Sequence, residues 1–216
     1  MNRRNAIKKL LTFGALAMLP VNFLLSTNKK KPLHFVGMGY SGSNLVKLIR
    51  QKGFNAKYTI INDTKLSGMT SKIDFIEYIP PHKYVFNTTE HGKIRISDMS
   101  QKIAVPSKVK NLAEQDYRFV LIAGLGGYTG TYMTEQLTYL LNKNGKSFFA
   151  VCSSPFDFED RNRKKIAREI IQKLQSVSDM FSIECNSIRN EYGNIPLKEA
   201  FRKVDEEILR VVLKKI

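Results

Sequence analysis

The chain has 216 residues, 43% of them hydrophobic, and a formal net charge of +16 at pH 7. That is enough apolar side chain for one well-buried domain with an appendage, and the ordinary composition excludes repeat and low-complexity architectures. Two cysteines sit in apolar runs and three histidines are scattered, which excludes a metal cluster, a disulfide framework and a nucleophile triad.

The charge divides into +7 from residues 1–31, which hold no acid, and +9 from the remainder. Spread along helical stretches such as 161–173 and 198–215, the excess reads as solvated helix faces. No nucleic-acid motif is present, and aromatics do not interleave with the basic runs.

Residues 1–31 stand apart as a signal-like or anchoring segment, and residues 32–216 make the domain. Arg3, Arg4, Lys8 and Lys9 precede an apolar run over 10–25, the layout of an export signal. The paired arginines with Ile7 and Lys8 resemble a twin-arginine signal, with Ala6 at its aromatic position. No Ala-x-Ala cleavage site follows, and the run is short of the roughly 20 residues that a spanning helix needs. Export, or attachment of residues 5–27 to a membrane, are the two readings.

From residue 32 strand-like and helix-like runs alternate. Pro32–Val36 predicts a strand that ends in the glycine-rich stretch 37–44, after which Leu45, Leu48 and Ile49 recur at helical spacing. Further strands are expected at 58–61, 73–79, 84–86, 94–96, 119–122, 148–151 and 181–183. Helices are expected near 109–114, 131–142, 163–176 and 197–214. In the last, Leu197, Phe201, Val204, Ile208 and Val211 share one face. This alternation predicts a three-layer α/β fold: a mostly parallel, Rossmann-like sheet with helices on both faces.

Two glycine-rich turns follow strands of that sheet, and ligands of such sheets bind beyond the strands' carboxyl ends. The turn Gly124-Leu125-Gly126-Gly127-Tyr128-Thr129-Gly130-Thr131 precedes a helix, so its backbone N–H groups and hydroxyls suit an anion. The earlier turn, Gly37-x-Gly39-x-x-Gly42, matches a dinucleotide fingerprint with Asp63 as a ribose acid. An NAD(P)-binding enzyme on Gly37–Gly42 is therefore one alternative, and a membrane-associated scaffold that binds nothing is another.

A resemblance accounts for more of the chain. Gly126-Gly127-Tyr128-Thr129-Gly130-Thr131 resembles the GGGTGTG signature of the FtsZ/tubulin family, with Tyr128 in place of a glycine. The first turn is similar to the FtsZ glycine loop, with Asn44 at its asparagine. Segment 154–163 resembles Pro-Phe-x-Phe-Glu-Gly-x-x-Arg, and 197–206 the start of the family's central helix.

The resemblance implies a cytoplasmic protein that binds GTP or GDP, with or without Mg. Gly37, Gly39, Ser41, Gly42, Ser43 and Asn44 would meet the phosphates from one side. Gly126, Gly127, Tyr128, Thr129, Gly130 and Thr131 would meet them from the other. It further implies that Pro155 and Glu159 approach the ribose, and that Arg163 meets ribose or phosphate. Asn186 would read guanine, together with Asp205 or Glu206.

The chain departs from the pattern in two places. Residues 87–107 hold only Gly92, so the family's γ-phosphate loop is expected to be remodelled. The sequence also ends at Ile216, before the loop that completes hydrolysis and the C-terminal domain. The expectation is weak or partner-dependent GTP hydrolysis, with a filament-capping or regulatory role. The partner would be a full-length FtsZ-like protein or another protomer, and no nucleic acid is involved.

Overall fold

All six strands run in one direction in the structure, a computed structural model that describes residues 31–78, 105–176 and 178–216. They are β1 (Leu33–Met38), β2 (Ala56–Asn62), β3 (Asp74–Glu77), β4 (Arg118–Gly124), β5 (Phe148–Ser154) and β6 (Met180–Glu184). Their order across the sheet is β3-β2-β1-β4-β5-β6. The order reverses between β1 and β4, so the chain leaves these two strands toward opposite faces and a crevice opens at their carboxyl ends.

The strands read as unbroken apolar runs because both faces of the sheet are covered. Phe35, Ile60, Val120 and Val151 face helices α1 (Gly39–Gln51), α5 (Cys185–Tyr192) and α6 (Leu197–Lys215). Val36, Ile61, Leu121 and Cys152 face α2 (Ser107–Glu114), α3 (Tyr128–Lys143) and α4 (Arg161–Gln175). This is the expected three-layer, parallel, Rossmann-like architecture, and Lys31–Ile216 pack as one compact unit. Both cysteines are buried thiols; desolvation pushes each up to about 12, which keeps them protonated and inert.

Three local expectations are corrected. Both glycine-rich stretches read as loops, yet α1 begins at Gly39 and α3 at Tyr128, so glycine-poor propensity gives way to close packing. No helix is expected between β6 and 197, yet α5 forms there, and its buried Cys185 and Ile188 hold it to the sheet. In α6 the buried residues are Ala200, Val204, Ile208 and Val212, while Leu197 and Phe201 are 52% and 45% exposed. Small Ala200 lets the helix approach the sheet, and each neighbouring residue is turned about 100° away around the axis.

The expected strands at 84–86 and 94–96 and the stretch 1–30 lie outside the described residues. Among the described residues no helix is long and apolar enough to cross a membrane.

Helix α1 lies on β4 through bare backbone. A Cβ on Gly42 would stand 2.1 Å from the Ile122 carbonyl oxygen, and one on Gly37 would stand 2.3 Å from that of Gly42. Gly42→Ala should lower stability in urea unfolding by about 1–3 kcal/mol, the usual penalty of overpacking. A loss below about 0.5 kcal/mol, the range of a neutral surface change, would mean that α1 moves off the sheet freely.

Candidate nucleotide-binding site

Two helices begin at the centre of the crevice with no side-chain cap bond among the described residues. Neither α1 nor α3 carries an acid in its first turn. The positive end of each helix therefore faces the crevice, an arrangement that favours an anion. The two ends touch: a Cβ on Gly39 would lie 2.9 Å from the Gly130 nitrogen. Gly39 also holds φ +69°, a left-handed conformation that favours glycine.

The crevice has a volume of about 370 Å³, within the range of small-molecule sites. One end is formed by Cys185, Phe201, Val204 and Asp205, and the opposite end by Asn62 and Asp63. Between them lie Ser153–Pro155, Glu159 and Arg163, then Gly124, Leu125 and Gly127–Gly130, with Gly39–Ser41 facing them. A second concavity of about 440 Å³ lies at the strands' amino ends, between Lys57, Asp74 and Tyr117. Among the described residues no helix amino end lines it, and Lys57 pairs with Asp74 at 3.5 Å.

Of the residues expected at a site, Gly39, Ser41, Gly127, Tyr128, Thr129, Gly130, Pro155, Glu159, Arg163 and Asp205 line this crevice. Others hold its walls. Gly37 and Gly42 are contact points of α1 on the sheet. Ser43 is fully buried and donates to the Gly39 carbonyl at 2.6 Å, and Asn44 lies beyond it on α1. Gly126 (φ +89°) turns the chain against Pro155, and its N–H donates at 2.9 Å to the hydroxyl oxygen of buried Thr131. Asn186 accepts from the Asp157 N–H at 2.9 Å, which fastens the 155–160 loop.

Glu159 and Arg163 brace each other and the turn after β4. The carboxylate accepts from the Phe156 N–H at 2.8 Å and pairs with the Arg163 guanidinium at 2.9 Å. Arg163 Nε donates to the Gly126 carbonyl at 3.2 Å. Asp160 caps α4 by accepting from the Asn162 N–H at 2.8 Å and the Arg163 N–H at 3.4 Å. Glu159 is therefore free of any capping duty.

The alternatives Asp205 and Glu206 separate by one helix step. Asp205 lines the crevice, whereas Glu206 points out to ion pairs with Arg202 and, at 3.4 Å, Lys203. Burial lifts the Asp205 carboxyl from 3.8 to about 6. Sequence reasoning missed Tyr40, Phe201, Ser153 and Cys185 as lining residues. Helical periodicity puts Phe201 on the buried stripe of α6, whereas its ring is 45% exposed and lines the crevice.

No protein-family model matches the chain. It is 26% identical over 198 residues to the cell division protein FtsZ of Mycoplasmopsis pulmonis, covering 90% of this chain and 48% of that protein. It is 28% identical over 192 residues to FtsZ of Methanothermobacter thermautotrophicus, covering 86% and 49%. Its homologues are FtsZ proteins. The chain spans about half the length of these curated relatives.

In fold the chain is similar to the empty FtsZ dimer of M. jannaschii, with a TM-score of 0.62 at 23% identity over 98% of this chain and 58% of that one. It is also similar to CetZ from Methanosaeta thermophila, with a TM-score of 0.61 at 13% identity over 85% and 54%. The sheet and its helices have the fold of the FtsZ/tubulin nucleotide-binding domain.

The raised Asp205 carboxyl has a signed consequence. The native state holds that proton more tightly than the unfolded chain, so stability falls as pH rises from about 4 to about 6 and is level above. Asp205→Asn lacks the titration. Its urea stability should gain on the wild type across that window and keep the gain at neutral pH. Parallel pH profiles for the two proteins would contradict the burial of this carboxyl.

Proposed function

We propose that the chain binds a guanine nucleotide, GTP or GDP, in this crevice and hydrolyses it weakly or only with a partner. The observation that carries the reading is the meeting of two uncapped helix amino ends in a crevice whose far end holds Asp205. Phosphate oxygens accept from the first-turn N–H groups of 39–41 and 128–130, and the Thr129 hydroxyl adds a donor.

At the other end a mostly ionised Asp205 would accept from guanine N1–H and the 2-amino group, which adenine lacks. Phe201 offers an exposed ring beside it for stacking. Glu159, held by Phe156 and Arg163, suits the ribose hydroxyls between the two ends. Magnesium would ride on the phosphates with Asp63 nearby, since that ion takes one or two carboxylates and keeps its waters.

Phosphoryl transfer needs an oriented water and fixed positive charge at the terminal phosphate. Arg163 is the one guanidinium among the described lining residues, and it is tied to Glu159 and Gly126. Turnover is therefore slow unless another protomer or an FtsZ-like partner completes the site, which fits a capping or regulatory part in a filament. Guanine nucleotides are cytoplasmic metabolites, which supports a cytoplasmic site in this reading.

Calorimetric titration with GTP, GDP, ATP and NAD tests the reading. Guanine nucleotides should bind, with ATP weaker by roughly tenfold or more, the worth of hydrogen bonds to a charged group. Asp205→Asn should erase most of that difference. Binding of NAD alone would favour a dinucleotide enzyme, and no binding at all a scaffold. Phosphate release by the dilute protein alone should be negligible; a turnover per chain that climbs with concentration would make another protomer the partner, and a fast turnover independent of concentration would overturn partner dependence.

A further inference from the structure

The crevice has a direction. From Asp205 and Phe201 on α6 it passes the amino ends of α3 and α1 and runs out at Asn62 and Asp63 beyond β2. A nucleotide with its base on α6 places its first two phosphates at the helix ends. A third would lie farther on, toward β2 and β3.

Tyr128 stands at that far end. It opens α3 and lines the crevice, flanked in sequence by Gly127, Thr129 and Gly130. Its ring stacks on Tyr132 at 6.3 Å and 26°, and Tyr132 stacks on Tyr78 at 6.0 Å and 15°. Tyr78 and Tyr132 are 2% and 8% exposed, so the stack is anchored in the core. The Tyr78 N–H donates to the Asn62 carbonyl at 2.9 Å, which sets the stack beside the crevice's end. A packed aromatic side chain therefore reaches from α3 toward β3 where a lengthening phosphate chain would go. Among the described lining residues this end offers a carboxylate, Asp63, and no cation.

We propose that Tyr128 makes the site selective for a nucleoside diphosphate over the triphosphate, by closing the crevice beyond the helix amino ends. The inference rests on the nucleotide reading above. The diphosphate ends at the N–H donors, whereas a third phosphate meets the Tyr128 ring. Residue size at position 128 then sets how long a phosphate chain the crevice accepts.

The test is calorimetric titration of the full chain with GDP and with GTP, each with and without magnesium. GTP should bind at least roughly tenfold more weakly than GDP in the wild type under both conditions. Tyr128→Gly should narrow that ratio to within about threefold. Tyr128→Phe, which keeps the ring, should preserve it. If circular dichroism shows that the glycine variant has lost its fold, Tyr128→Ser takes its place, and the wild-type ratio stands without any variant. Equal affinities in the wild type, or a ratio that the small residue leaves unmoved, would overturn the proposal and leave nucleotide binding intact. Binding of neither nucleotide would overturn both.

Discussion

Two positive helix ends in contact are the constraint on which the rest of this molecule depends. Like partial charges at the start of α1 and α3 repel, and nothing in either first turn neutralises them. The contact runs through backbone, with Gly39 against Gly130 and Gly42 against β4. Each of these approaches is closed to any larger residue without a shift of a helix. In the proposed function an anion would relieve the repulsion at both helix ends together. Ligand that binds only the native state then returns stability to the fold.

Around that centre the polar residues divide into those that hold the walls and those that face the cleft. Thr131, Ser43 and Asn186 spend oxygens on neighbouring backbone, and each fastens one wall. Glu159 and Arg163 do both, since they lie in the cleft while tying segment 155–163 to the turn after β4. The division explains how a cleft can be built from short loops with little fixed charge. Its geometry comes from the sheet and two helices, and the side chains adjust specificity at either end.

The layers were legible because burial on both faces leaves strands such as 119–122 and 148–151 as plain apolar runs. The crevice was legible because two glycine-rich turns follow strands on opposite sides of the reversal in strand order. What pattern could not supply was rotation about a helix axis. One step along α6 separates Asp205 in the cleft from Glu206 among surface cations, and it moved Phe201 from an expected core position to the rim. Pattern also misplaced helix starts, because Gly39 and Gly130 weaken the helical signal where close contact of two helices requires them. Helix α5, with only Cys185 and Ile188 buried, is too short for a periodic signal to stand out.

Backbone amide shifts on addition of GDP to the isotopically labelled protein test the central claim most directly. The largest changes should fall at Gly39–Ser41 and Tyr128–Gly130, the two helix amino ends, with a second group around Asp205. Changes confined to one helix end, or centred on the Lys57–Tyr117 concavity at the opposite end of the sheet, would contradict the account.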